Sequence, residues 1–129
     1  MIIDSSVLVA ILRLEPGYDR FVLAITQARR RLLAAPTLLE TTMVLAGRRE
    51  DEILDRLDQF LRTASIETVP FTADHAAVAR QTFLRYGKGR HPAALNFGDC
   101  IAYATARLEA MPLLFKGDDF RLTDIEAAV

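Results

Sequence analysis

Short apolar runs alternate with amphipathic stretches along the whole chain. Met1-Ile2-Ile3 is an apolar start closed by Asp4, and residues 1–4 read as a short buried strand. Ser5 and Ser6 cap a helix whose apolar positions are Val7, Leu8, Ala10, Ile11 and Leu12. Glu15-Pro16-Gly17 breaks it. Residues 18–28 carry Phe21, Val22, Ile25 and Ala28 on one helical face. Residues 31–34 predict a second strand, and Pro36 then opens a helix over 37–48, as proline does in a first turn. Residues 51–63 are amphipathic, with Ile53, Leu54, Leu57, Phe60 and Leu61 on the apolar side. Residues 66–69 predict a third strand, and Thr72 caps a helix bearing Ala76, Val78, Ala79, Phe83 and Leu84. A glycine-rich basic loop covers 86–95, and Asn96 caps a helix over 98–108. Residues 113–115 predict a fourth strand, and 121–125 a short fifth. Strands alternating with helices predict an α/β fold with a mainly parallel sheet of four to five strands, covered on both faces.

Composition narrows the class. A chain of 129 residues, 51% hydrophobic and 26% charged, predicts a single domain over 1–129 with one core. No apolar run approaches the ~20 residues of a membrane span. The start lacks a signal peptide's basic and apolar regions, and Cys100 is alone. A cytoplasmic location is therefore expected. The net charge of −1 excludes a general nucleic-acid coat. It leaves room for a nuclease, which gathers acidic groups in its site and needs only local basic patches.

The candidate chemistry sits at segment ends: Asp4, Glu40, Asp99 and the pair Asp118-Asp119. Each has a structural alternative. Asp4 suits an N-cap or turn. Asp99 lies three residues after Asn96, where a carboxylate gains ~0.3–1 kcal/mol from the helix dipole. Glu40 neighbours Leu39, Met43, Val44 and Gly47 on its helix, so it belongs at the edge of the core. A charge there needs a cation, or a Lys or Arg partner. Asp118-Asp119 suits a polar turn. Taken jointly, order and spacing favour a site, because an open α/β sheet collects functional groups where its strands end. Carboxylates gathered there repel unless a positive charge sits between them. A hard divalent cation such as Mg²⁺ or Mn²⁺ prefers oxygen ligands and serves phosphodiester hydrolysis. In the loop before Asn96, Lys88, Arg90 and His91 suit phosphate contacts and Tyr86 suits stacking on a base, against the alternative of a solvated basic loop. Arg29-Arg30-Arg31 and Arg48-Arg49 read as solvated ends. Lys116 reads either as a tether for Asp118 or as a substrate contact, and His75 as structural.

Met1-Ile2-Ile3-Asp4-Ser5-Ser6, Leu39-Glu40-Thr41, Asn96-Phe97-Gly98-Asp99-Cys100 and Leu113 through Phe120 together resemble a PIN-domain ribonuclease, in particular a VapC-type toxin of a toxin–antitoxin pair. Thr123-Asp124-Ile125 also fits, and the resemblance covers nearly the whole chain. It implies a three-layer α/β/α fold and Mg²⁺-dependent endoribonuclease activity, with Mn²⁺ as a substitute. It implies an RNA substrate, often tRNA or a structured loop, and a product pair of 5′-phosphate and 3′-hydroxyl. A cognate VapB-type antitoxin and a homodimeric core, or a higher toxin–antitoxin assembly, are implied as partners. By the same resemblance, Asp4 and Asp99 are metal ligands and Glu40 is the middle acidic residue, acting on metal directly or through water. Asp118 takes the fourth acidic position, Asp119 supports the loop, and Ser6 bonds a carboxylate or a phosphate. Helices 18–28 and 51–63 then suggest the antitoxin's groove. A dehalogenase-like phosphatase would need Asp-x-Asp at the first strand, where Ser5-Ser6 follows Asp4. A receiver domain would need a mid-chain acceptor, but Asp51, Asp55 and Asp58 read as a helix's polar face. The remaining alternative is an inactive PIN-like scaffold that binds RNA or protein.

Overall fold

The computed structural model describes residues 1–47 and 51–129. In chain order its elements are β1 (Ile2–Ile3), α1 (Ser5–Leu12), α2 (Tyr18–Gln27), β2 (Leu32–Ala34), α3 (Ala35–Ala46), α4 (Asp51–Thr63), β3 (Glu67–Val69), α5 (Ala73–Tyr86), α6 (Phe97–Glu109) and β4 (Leu113–Leu114). The strands form one sheet in the order β3-β2-β1-β4, and every pairing is parallel. Ile2 pairs with Leu32 on one side and Leu113 on the other, so the first strand lies inside the sheet.

Side-chain alternation along these strands builds the layers. Ile3, Leu33 and Leu114 point to one face, where they pack with Val7, Leu8, Phe21, Ile25, Ile53 and Leu57 from α1, α2 and α4. Ile2, Leu32 and Leu113 point to the other, against Ala102, Tyr103 and Ala106 of α6 and Tyr86 at the end of α5. Helices thus cover both faces, the α/β/α arrangement expected. Both faces being buried explains why the strands read as unbroken apolar runs.

Local sequence explains most boundaries. Thr72 caps α5 by accepting the His75 N–H, and the His75 ring accepts the Thr72 N–H at 3.1 Å. That reciprocal box gives His75 its structural role. Pro36 lies in the first turn of α3, as predicted, and α3 ends at Ala46. Its predicted extension to Arg48, and the solvated ends assigned to Arg48-Arg49, lie outside the described residues.

Two expectations are corrected. Residues 121–125 do not form a fifth strand. Asp119–Leu122 is a 3₁₀ turn pinned by buried Phe120, and the chain returns to the sheet through a single bridge between Leu113 and Ala127. Phe120 packs on Phe115 with ring centroids 5.0 Å apart, and that packing competes with strand extension. Arg31 is not a solvated end. It donates to the carbonyls of Ile25 (2.6 Å), Thr26 (3.2 Å) and Ala64 (2.8 Å), clamping the end of α2 to the turn before β3. A guanidinium satisfies helix C-terminal carbonyls in this way.

Candidate active site

The carboxyl edge of the sheet is where the acidic groups meet. Asp4 follows β1, Glu40 lies in the second turn of α3 after β2, Asp99 opens α6, and Asp119 follows β4. Asp4 is 4% exposed. Its backbone N–H donates to the Leu114 carbonyl at 2.9 Å, so the sheet itself fixes its position. Its Oδ2 accepts the Ser6 N–H at 3.1 Å and the Ser6 hydroxyl at 2.5 Å, which makes it the N-cap of α1. The Ser6 Oγ in turn accepts the Lys116 N–H at 3.0 Å, tying the loop after β4 to the same carboxylate. The capping role therefore uses one oxygen of Asp4. Oδ1 is buried without a hydrogen-bond partner among the described residues.

Asp99 is divided in the same manner. Its Oδ2 accepts the Asn96 N–H at 2.9 Å while Asn96 Oδ1 accepts the Asp99 N–H at 2.9 Å, a reciprocal box that starts α6. Burial pushes its carboxyl up to about 6, against the Asn96 hydrogen bond, with the charges of Asp4, Asp119 and Glu40 adding to the rise. Asp4 is likewise held above the ordinary carboxylate range, chiefly by burial, opposed by the Ser6 bonds and reinforced by Glu40. Glu40 keeps Oε1 buried and without a partner among the described residues. No Lys or Arg reaches it there, so the alternative of a basic partner finds no support.

Asp118 and Asp119 separate. The Asp118 side chain is 90% exposed and pairs with Arg121 at 3.2 Å, across the turn. Asp119 is the member of the pair whose charge acts on Asp99. Lys116 neither tethers Asp118 nor stays free: its ammonium pairs with Glu15. Buried Gly98, which residue-type reasoning passed over, stands against the Glu40 carboxylate. A glycine between Phe97 and a candidate ligand was the only signal for it.

The basic loop differs from expectation in one respect. Tyr86 is 6% exposed and packs in the core against Tyr103 and His91, so it does not stack on a base. The exposed aromatic beside the site is Phe97, at 82%. His91 Nδ1 accepts the Ala93 N–H at 3.0 Å, and Arg90 donates to the Leu84 carbonyl at 3.1 Å. Both therefore shape the loop, while Lys88 is exposed. Gly89 takes φ +83°, a left-handed turn that glycine adopts without strain.

The donor set suits a hard cation. The free oxygens are carboxylate, two of them buried and unpaired, and proton affinities are raised where charges crowd. Among the described residues, no group of three or more such side chains is gathered closely enough to hold an ion unaided. Water or phosphate oxygens would complete the coordination, as is usual for an ion that gives up its hydration reluctantly.

The carboxyl edge of the sheet thus gathers acidic side chains around the buried Asp4, an arrangement in keeping with a hydrolase-type site. The chain belongs to the PIN-domain family, whose description matches residues 1–126. Within that family its relatives are VapC ribonucleases. It is 45% identical over 127 residues to ribonuclease VapC of Mycolicibacterium smegmatis, covering 98% of each chain. It is 44% identical over 125 residues to ribonuclease VapC30 of Mycobacterium tuberculosis, covering 97% of this chain and 95% of that one. Its fold matches the crystal structure of VapC20 of Mycobacterium tuberculosis, described as a sarcin–ricin loop cleaving toxin. The TM-score is 0.77, at 15% identity, over 96% of this chain and 95% of that one.

Proposed function

We propose that this chain is a metal-dependent endoribonuclease toxin that acts as one PIN domain over residues 1–129, with Mg²⁺ as its cofactor and Mn²⁺ as a substitute. The observation that carries the reading is the pair of buried, unpartnered oxygens, Asp4 Oδ1 and Glu40 Oε1, set where charge is already crowded. Leaving such atoms unsatisfied costs about 1–3 kcal/mol each or more, and a divalent ion removes that cost. The relatives are named ribonucleases, which supports RNA as the substrate class, and structured RNA such as tRNA or a ribosomal loop is the target we favour.

Asp4 and Asp99 would hold the ion, since the helix-starting bonds engage only one oxygen of each. When bound, the ion lowers the pKa of water and offsets charge at the scissile phosphate. Glu40 orients the attacking water and takes its proton. Asp119 takes the fourth acidic position, because its charge reaches Asp99 while Asp118 turns to Arg121. Ser6 keeps Asp4 and the Lys116 backbone in register. Lys88, with Arg90 and His91 shaping the loop behind it, binds RNA phosphates.

We assign the partner site to the groove between α1, α2 and α4. It is about 310 Å³ and lined by Ile11, Leu12, Leu14, Tyr18 and Phe60 with Arg56. An amphipathic helix of a cognate VapB-type antitoxin suits that apolar floor. The toxin is taken to be a homodimer in the cytoplasm. No helix among the described residues is long and apolar enough to cross a membrane.

The test is cleavage of total cellular RNA by antitoxin-free protein with Mg²⁺, with Mn²⁺ and with EDTA, beside Asp99→Ala. Discrete fragments that require metal and vanish in the variant are expected. Folded protein that leaves RNA intact under every condition would favour the inactive scaffold instead.

A further inference from the structure

Gly98 occupies the second position of α6 with an ordinary helical backbone, since its φ lies outside the left-handed region. Glycine is disfavoured in a helix relative to alanine, so neither conformation nor propensity accounts for it. Space does. A Cβ built at this position would stand 2.6 Å from Glu40 Cδ and 2.8 Å from Glu40 Oε1, and closer still to Oε2. The three nearest atoms all belong to that one carboxylate. Oε1 is buried without a partner, and no hydrogen bond among the described residues fixes that oxygen where it lies. Its place is set by packing against the bare helix backbone.

We infer that Gly98 is a positioning residue: its missing side chain is the seat of the Glu40 carboxylate, and it sets how far α3 can push that group toward Asp4 and Asp99. The inference rests on the reading of Glu40 as a site residue. Glu40 ends a flexible side chain, so a methyl group at position 98 moves the carboxylate and leaves the backbone in place. Displacement by about 1 Å at a reacting centre costs on the order of 100-fold in rate. The consequence falls on kcat and on divalent-ion affinity, and spares KM for RNA.

A double-mutant cycle isolates the contact. The four proteins are wild type, Gly98→Ala, Glu40→Asp and the double variant. Each is followed by RNA cleavage, by Mn²⁺ binding without RNA, and by thermal unfolding in EDTA. Gly98→Ala should lower kcat roughly 10–100-fold in the wild-type background. In the Glu40→Asp background, where the carboxylate is one methylene shorter, it should cost little more. In EDTA, Gly98→Ala should raise Tm by roughly 2–6 °C in the Glu40→Asp background, as removal of a helical glycine does. The rise should be smaller, or absent, beside Glu40. Equal losses in both backgrounds, or unfolding in both, would overturn the inference, because the methyl group would then be meeting something other than Glu40. Wild-type activity in Glu40→Gln would instead remove Glu40 from the site and sink the functional reading itself.

Discussion

Replacing Asp99 with Asn should stabilise the metal-free protein near pH 7.5 while abolishing cleavage. In the native state burial and neighbouring carboxylates move the Asp99 carboxyl from 3.8 to about 6. The folded protein therefore holds a proton that the unfolded chain releases between those pH values. The contribution of this group to stability is full below about pH 4, falls as pH rises through the window and is lost above about 6. At 1.36 kcal/mol per tenfold change in proton affinity, the full cost of ionisation is roughly 3 kcal/mol. Partial solvation of the side chain reduces that to about 1–2 kcal/mol. Asn retains the acceptor oxygen for the Asn96 N–H, so the start of α6 survives the change. The assay is urea unfolding in EDTA at intervals from pH 4 to 8, comparing wild type with Asp99→Asn. Wild type should lose about 1–2 kcal/mol more across the window than the variant. Divalent ions at pH 7.5 should return more stability to wild type than to the variant. Parallel pH curves for the two proteins would refute the electrostatic account of the site.

Three further outcomes are expected. Ser6→Ala should lose about 1–2 kcal/mol in thermal or urea unfolding, since both Asp4 Oδ2 and the Lys116 N–H lose a partner; its cleavage rate should fall with it. Asp119→Asn should impair cleavage and Mn²⁺ affinity roughly 10–100-fold while Asp118→Asn stays near wild type, a comparison settled by single-turnover kinetics and titration. Lys88→Ala should raise KM for RNA and reduce the salt dependence of binding while leaving kcat unchanged, as measured by cleavage at several ionic strengths.

Sequence reasoning recovered the elements wherever local chemistry decides them. Thr72 and Asn96 announce α5 and α6 because a side-chain cap is a contact between residues three apart. The helix over 51–63 has the predicted limits for a similar reason: its apolar stripe is strongly one-sided. The segment 121–125 was misread because two apolar residues, Leu122 and Ile125, in a short polar stretch fit a strand as well as a 3₁₀ turn, and the packing of Phe120 on Phe115 decides between them. Tyr86 looked available for a base because a loop of Gly, Lys and Arg surrounds it in sequence; burial against Tyr103 is a tertiary fact. Helix α3 looked apolar around most of its circumference, yet Leu39 and Met43 are 61% and 66% exposed, so hydrophobicity alone did not say which face would be covered. Among candidate site residues, the gathering of Asp4, Glu40 and Asp99 at one edge of the sheet was legible from segment ends. The different directions taken by Asp118 and Asp119 were not, since adjacent residues at a turn diverge by an angle that the turn type sets.

The interior place of β1 bears on when the enzyme can become dangerous to the cell that makes it. Asp4 and Ser6 each meet a partner 110 residues further along the chain: the Asp4 N–H donates to the Leu114 carbonyl, and the Ser6 Oγ accepts the Lys116 N–H. Strand β4 must add to the edge of β1 before these contacts hold Asp4 in place. Such long-range parallel pairing is slow compared with helix formation. A chain that stops short of β4 is therefore expected to lack cleavage activity. Activity is expected only once β4 has paired, an interval in which a partner can act first.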